Sequence, residues 1–393
     1  MRVVTSCLTR FWIFDQAREL LRRGALRTLI HGTARSRSRQ WGIPDNKVRA
    51  VPIIGAYLTL CAASVRWRHA SVKQRRIHTV HALWSRYLAS ALPESADVFI
   101  TLSGFGSPAI RRAASMGQVS VVDHGSLHER VELRLLQEEA RRWNLPPVPT
   151  WPPGWLIDNE QDEFEAADYV LVLSKAAAAT LVSEGVPEHK VMINPPGVNL
   201  DNFYPKSSSD GVFRIIQCGG ISARKGVQYL LQAFAELRLP NAELWFVGAG
   251  LAETQLQDVI ARFRGEHVFF KGAIEQRRLV DLYGECSVAV LASIADGFGM
   301  VVAQAMACGL PAVVSDNVGA ADMVQHGQNG FVVPSGNVDS LKEHLLHLYN
   351  NPVKRAAMGK AARNTAIHGY TWADYGDRLL GLLSAMTAGR RTA

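Results

Sequence analysis

Three short segments hold residue types at spacings that could do chemistry. In the first, Asp296-Gly297-Phe298-Gly299 follows an apolar run, Val288 to Leu291, and precedes a helical pattern from about Met300. Glycines there let backbone approach a ligand, and the free N–H groups of a helix start face an anion. Gln304, one turn further on, can hydrogen-bond a hydroxyl of that ligand. The same pattern also fits an ordinary strand, loop and helix capped by Asp296. In the second segment, Gln217-Cys-Gly-Gly-Ile-Ser-Ala-Arg-Lys-Gly226 leaves a strand and opens a helix. Gly219 and Gly220 permit a tight turn, Arg224 offers a planar fork and Lys225 a point charge. A helix start is already positive, so two added cations call for an anion such as phosphate. No GxxxxGK[ST] occurs, so the phosphate need not be that of ATP. In the third, Val122-Asp-His-Gly-Ser-Leu-His-Glu-Arg130 ends a strand and starts a helix, with His124 and His128 as titratable groups or simple caps. Glu138 and Glu139, further along, read as solvated.

These segments need strands and helices to hold them. The first half alternates: strand Val3 to Thr5, helix Phe11 to Arg23 ending at Gly24, strand Leu26 to His31, helix Ile77 to Ala91, strand Asp97 to Leu102, helix Pro108 to Met116, strand Val119 to Asp123 and a helical stretch His128 to Trp143. The Pro-rich run Leu145 to Trp155 reads as a stiff break, the acidic stretch Asp158 to Glu165 follows it, and strands return at Tyr169 to Leu173 and Lys190 to Ile193. After a turn at Asn194-Pro195-Pro196-Gly197 and an exposed connection, Ser207 to Gly211, the alternation restarts. It runs through strand Arg214 to Cys218, helix Gly226 to Leu237, strand Glu243 to Val247, helix Leu251 to Phe263 and strand Val268 to Lys271. The expected fold class is α/β, with two Rossmann-like, doubly wound domains facing a central crevice. The expected bounds are 1–190 and 195–365, with a tail helix in 370–393 returning to the first domain.

Length and composition agree with that scheme. At 393 residues the chain exceeds what one hydrophobic core usually serves, and 48% hydrophobic with 20% charged residues is the composition of a folded protein. Five cysteines far apart, with no CxxC, indicate neither a disulfide framework nor a thiolate zinc site, and a reducing compartment fits. Residues 1–150 hold 23 Lys/Arg against 10 Asp/Glu, whereas the rest holds 20 against 25. The basic half calls for an anionic partner, and with no nucleic-acid motif or zinc spacing a nucleic acid is the weaker choice. The N-terminus lacks an apolar h-region and does not read as a signal peptide. Val51 to Val65 is apolar but only 15 residues long, too short to span a bilayer. Flanked by Arg35, Arg37, Arg39, Arg66, Arg68, Lys73, Arg75 and Arg76, it reads either as a segment lying on an anionic bilayer or as a buried strand and helix.

Taken together, the chain resembles the GT-B glycosyltransferases, in particular the retaining family 4, or group 1, type. The motifs that carry this are Pro196-Gly-Val-Asn-Leu-Asp-Asn-Phe-Tyr-Pro205, the Gly219 to Gly226 turn, Phe246-Val-Gly248-Ala-Gly250, Asp296 to Pro311 and Asn329-Gly-Phe-Val-Val-Pro334. The resemblance implies metal-independent transfer of a sugar from a nucleotide-diphosphate donor, with no other cofactor, to a glycan or lipid-linked acceptor. It implies a role in bacterial-type cell-surface polysaccharide or lipopolysaccharide synthesis, in the cytoplasm at the inner face of the plasma membrane. Carried across, Lys225 with Arg224 would hold the diphosphate, Asp296 and the backbone of Gly297 to Met300 would meet the donor sugar, and Gln304 the ribose. His128, with His124 as the alternative, matches the family's histidine near the reacting sugar. The chain departs from the family pattern at Asp296 and Gln304, where relatives carry Glu, and at Gly220, where many carry Arg. Two other readings stand beside this one. A dehydrogenase using Gly248-Ala249-Gly250 lacks a full GxGxxG. A catalytically silent nucleotide-sugar-binding or scaffolding protein is suggested by Gln304.

Overall fold

The structure, a computed structural model, describes residues 1–9, 12–63, 70–146, 154–206, 210–252 and 254–392, and the side chains of 58–63, 70–74 and 390–392 lie outside that description. Most of the Pro-rich run, residues 147–153, thus lies outside it, as do 207–209 and the side chains of Arg66, Arg68 and Lys73. Gly154 and Trp155, at the end of the run, already belong to a helix, Gly154–Ala166, which also takes up the acidic stretch.

Two parallel sheets form the frame. The first holds β1 (Val3–Cys7), β2 (Leu26–His31), β3 (Val48–Ala50), β4 (Val98–Leu102), β5 (Val119–His124), β6 (Tyr169–Val172) and β7 (Val191–Ile193), in the order β3-β2-β1-β4-β5-β6-β7. The second holds β8 (Phe213–Cys218), β9 (Ala242–Val247), β10 (Val268–Phe270), β11 (Val288–Leu291), β12 (Ala312–Ser315) and β13 (Gly330–Val333), in the order β10-β9-β8-β11-β12-β13. Their strands are near-continuous apolar runs because helices cover both faces: every residue of β1, β4, β5, β8, β11 and β12 is buried. The two-domain doubly wound scheme is what the structure contains. The halves share one strand plan although their sequences show no repeat. Pairing of β7 with β6 carries the first half to Ile193, past the expected bound at 190. The helix expected from Leu251 begins only at Gln257.

In each sheet the strand order reverses once, between β1 and β4 and between β8 and β11. Such reversals open a crevice at the carboxyl ends of the strands, where ligands of doubly wound folds bind. The Gly219 to Lys225 segment leaves β8 and the Asp296 to Gly299 segment leaves β11, so both border the same reversal.

Two features tie the ends of the chain to the first half. Helix Trp372–Thr392 packs Trp372, Tyr375, Leu379, Leu383 and Met386 into a core shared with β1 and with helix Ile13–Arg22. Two chain crossings lie side by side, since Val198 N donates to Tyr370 O at 2.7 Å and Arg378 donates to Pro195 O at 2.8 Å and to Asn194 Oδ1 at 3.1 Å. Residues Pro52–Ala63 form a helix after β3, with Gly55 pressed on Gly32 while Ile53 and Tyr57 are 81% and 44% exposed. The described part of the expected Val51 to Val65 segment is therefore helical from Pro52 and touches the core at Gly55, while Ser64 and Val65 lie outside the described residues. No helix among the described residues is long and apolar enough to cross a membrane.

Candidate active site

The loop that leaves β11 is fixed by a complete set of hydrogen bonds to its carbonyls. Ser293 O accepts from Ser315 Oγ, Ile294 O from Asn317 Nδ2 at 3.0 Å, and Ala295 O from Arg224 Nη1 at 3.0 Å. Asp296 O accepts from Gly319 N at 3.0 Å, Gly297 O from Ser174 Oγ at 2.8 Å, and Phe298 O from Ala320 N at 2.6 Å. Six successive buried carbonyls are thus satisfied from the β8 turn, the β12 loop and the first half. Such a loop holds its side chains in place before any ligand arrives.

Between the halves lies a cavity of about 650 Å³. From the second half it is lined by Gly219, Lys225, Asp296, Phe298, Gly299, Met300 and Gln304. Lys225 Nζ pairs directly with Asp296 Oδ2, and both side chains are largely shielded from solvent. An anion entering the cavity can compete with the carboxylate for this ammonium, leaving Asp296 able to accept from a ligand hydroxyl. Gln304 is 4% exposed and its Oε1 has no hydrogen-bond partner, so a buried acceptor waits on the wall. An orphaned acceptor of this kind is expected where a ligand donor completes it.

The first half supplies the opposite wall with Trp12, Asp15, Arg18, Gln40 and Trp41, and the tail helix adds Trp372. Asp15 Oδ1 accepts from Trp41 Nε1 at 3.1 Å and pairs with Arg18 Nη2 at 3.0 Å. Trp12 Nε1 donates to Asp123 Oδ2 at 3.0 Å, and Gln16 Nε2 donates to the same oxygen at 2.8 Å and to Tyr375 Oη at 2.8 Å. Complete burial pushes the Asp123 carboxyl up to about 7 against these two bonds, which favour its charged form. Sequence reasoning missed this wall. Its local signal is Asp15 and Arg18 at i and i+3 on the polar side of an amphipathic helix.

Several expected residues lie elsewhere. Arg224 does not line the cavity: its guanidinium turns to Ala295 O and, at 3.8 Å, to Glu132 Oε1 of the first half. Gly248 braces the turn beneath the site, because a methyl group on it would lie 1.8 Å from Gly219 O, and Gly220 faces Ala249 O. Gly297 marks the contact between halves. His128 is the N-cap of helix Glu129–Arg142, with Nδ1 accepting from Arg130 N at 3.2 Å, and burial lowers its pKa. His124 is more deeply buried, held by Ser103 Oγ and Leu127 O, and burial lowers it to about 4. Neither imidazole lines the cavity. Glu139 is not solvated, since it is 4% exposed and accepts from Tyr229 Oη of the second half at 2.5 Å.

Comparison with known proteins bears on this geometry. Residues 202–365 match the family of group 1 glycosyl transferases. The chain is 31% identical over 247 residues to a GDP-mannose-dependent alpha-(1-6)-phosphatidylinositol monomannoside mannosyltransferase of Mycolicibacterium smegmatis, covering 58% of this chain and 64% of the relative. It is 28% identical over 290 residues to a D-inositol 3-phosphate glycosyltransferase of Nocardiopsis dassonvillei, covering 64% and 67%. The chain spans roughly half to two thirds of the length of these curated relatives and their like. Among solved structures, sucrose-phosphate synthase from Thermosynechococcus elongatus superposes with a TM-score of 0.73 at 18% identity, covering 99% of this chain and all of the other. Anabaena HepE in complex with UDP-glucose superposes with a TM-score of 0.67 at 17% identity, covering 98% and 100%. These likenesses give the whole chain the GT-B fold.

Proposed function

We propose, on the premise that residues 202–365 belong to the group 1 glycosyl transferases, that this protein moves a sugar from a nucleotide-diphosphate sugar to a hydroxyl of a glycan or lipid-linked acceptor. The observation that carries this reading is the Lys225–Asp296 pair inside the cavity at the second strand reversal. Lys225 binds the diphosphate and stabilises the charge that develops as it leaves, a role that can dominate catalysis. Asp296 and the backbone of Gly297 to Met300 hold the donor sugar, and Gln304 accepts from the ribose. The acceptor hydroxyl attacks from the face the diphosphate leaves and gives its proton to the departing phosphate. The anomeric configuration is retained, and neither a metal ion nor a nucleophile from the protein is required.

The acceptor approaches from the first half. The names of the relatives, one acting on a phosphatidylinositol mannoside and one on inositol 3-phosphate, favour a phosphorylated polyol or a lipid-linked glycan. Exposed Ile53 and Tyr57, with Arg35, Arg37 and Arg39 exposed nearby in the chain, suit shallow contact with the anionic inner face of the plasma membrane. A second reading, a binding protein that turns nothing over, is favoured by Gln304 in place of a charged acceptor. One experiment separates the two. Purified protein is incubated with UDP-, GDP- and ADP-sugars without metal, with and without a membrane lipid extract, and release of nucleoside diphosphate is scored. Extract-dependent release from one donor supports transfer. Nucleotide-induced stabilisation without release from any donor supports the silent reading.

A further inference from the structure

Arg224 and Lys225 are neighbours in a three-residue 3₁₀ turn, Ala223–Lys225. With three residues per turn, successive side chains leave about 120° apart, and here the two cations go to different targets. Lys225 takes the cavity. Arg224 takes the back of the β11 loop: its Nη1 donates to Ala295 O at 3.0 Å, and its own carbonyl accepts from Ile294 N at 2.8 Å. Of the six loop carbonyls, Ala295 O alone is met by a charged donor, and Ala295 is the residue that precedes Asp296.

The other edge of the guanidinium faces the first half. Arg224 Nε lies 3.8 Å from Glu132 Oε1, and the second oxygen of Glu132 accepts from Ser126 Oγ at 2.7 Å. Ser126 adjoins Gly125, whose backbone abuts Gly297. Arg224 also offsets crowded negative charge, because burial and neighbouring Glu132 raise the Glu129 carboxyl while Arg224 lowers it. One side chain therefore touches the loop that carries Asp296 and the carboxylate of the opposite half that sits beside it.

We propose that Arg224 is a positioning residue: by bridging Glu132 of the first half to Ala295 O it sets Asp296 against Lys225 when the halves are closed, and it makes no contact with the diphosphate. This rests on the reading of Lys225 and Asp296 as donor-binding groups. It assigns to Arg224 and Glu132 one shared task, alignment of the donor loop on closure.

The test compares wild type with Arg224→Ala, Arg224→Lys, Glu132→Gln and the Arg224→Ala/Glu132→Gln pair. The readouts are affinity for UDP, GDP and ADP alone by calorimetry, and kcat and KM for cleavage of UDP-glucose, GDP-mannose and ADP-glucose. Arg224→Ala and Glu132→Gln are expected to hold the nucleotide that wild type binds within about twofold, whereas kcat falls by about tenfold for a misplaced reacting group. The double variant is expected to be no slower than Arg224→Ala, because the two side chains act as one unit. Arg224→Lys keeps the charge but not the fork, and is expected to recover part of kcat. Should Arg224→Ala not fold, Arg224→Lys and Glu132→Gln carry the test on the same readouts. A tenfold loss of nucleotide affinity in either Arg224 variant overturns the proposal by making Arg224 a diphosphate ligand, as does wild-type kcat in folded variants. If wild type binds none of these nucleotides and cleaves none of these donors, the transferase reading fails first and this inference falls with it.

Discussion

Gly297 and Gly125 meet backbone to backbone: a methyl group built on Gly297 would lie 2.1 Å from the carbonyl oxygen of Gly125 and 2.7 Å from the Cα of Ser126. The loop that carries Asp296 therefore rests directly on the strand end that carries His124. The halves meet this closely because Gly297 has no side chain, while a methyl group on Gly125 would lie 2.1 Å from the Trp12 ring of its own half.

Gly297→Ala should hold the halves apart without disturbing either core. Activity is expected to fall by about tenfold or more, since small misplacement of catalytic groups has effects of this size. Small-angle scattering should show a larger radius of gyration than wild type, and an unchanged radius with full activity would contradict the contact.

Lys225→Ala removes what is, among the described residues, the only cation that both lines the second-half wall of the cavity and meets Asp296. Loss of one preorganised charge-stabilising donor typically lowers kcat by about 100- to 1,000-fold, and that loss is expected here. Steady-state release of nucleoside diphosphate checks it, and a variant within about threefold of wild type would exclude Lys225 from the leaving-group role.

Gln304→Glu should have effects of opposite sign with and without nucleotide. Without it, a charge replaces a neutral group whose Oε1 is already unpartnered at 4% exposure, so melting temperature should drop. With it, a charged acceptor strengthens a bond from a ribose hydroxyl by roughly 1 kcal/mol, or about fivefold in affinity. Thermal melts and nucleotide titrations above pH 7 measure both. Weaker nucleotide binding would remove the ribose from Gln304.

Asp123 predicts a dependence of stability on pH. Its folded pKa, about 7, stands above the ordinary carboxylate value of 3.8, so the unfolded chain loses this proton first as pH rises. The stability it contributes is complete below about pH 4 and is lost as pH climbs through 7, with a ceiling of about 4 kcal/mol for a change of this size. Asp123→Asn cannot ionise, so its melting temperature relative to wild type should rise between pH 5 and pH 8. A constant difference across that range would show that Asp123 ionises as an exposed carboxylate does.

How much of this was legible in the chain follows from where each signal resides. Alternating apolar runs marked the frame, because parallel strands covered on both faces cannot be written otherwise. Lys225 and Asp296 stood out because each sits at a strand-to-helix junction among glycines, and Gln304 because it lies one turn into the helix that follows. Arg224 looked equivalent to Lys225 in the linear order, and only the 3₁₀ turn, which depends on packing against Ala292 to Ala295, separates their directions. Trp12, Asp15, Trp41 and Trp372 converge from three distant stretches, so no local pattern could join them. Glu139 read as a solvated helix charge because its partner, Tyr229, is 90 residues away.

The two crossings near Val198 and Tyr370 limit how the crevice can open. The backbones run so close that a methyl group on Gly197 would lie 2.3 Å from Trp372 N, and Arg378 staples both with bonds to Asn194, Pro195 and Gly369. A pair of adjacent straps behaves as a door hinge does: the halves can swing about the line the straps share but resist sliding or twisting past each other. Any opening of the halves is then confined to one arc. Lys225 and Asp296, fixed to one leaf, meet the wall of Trp12 and Trp41 on the other in the same register every time.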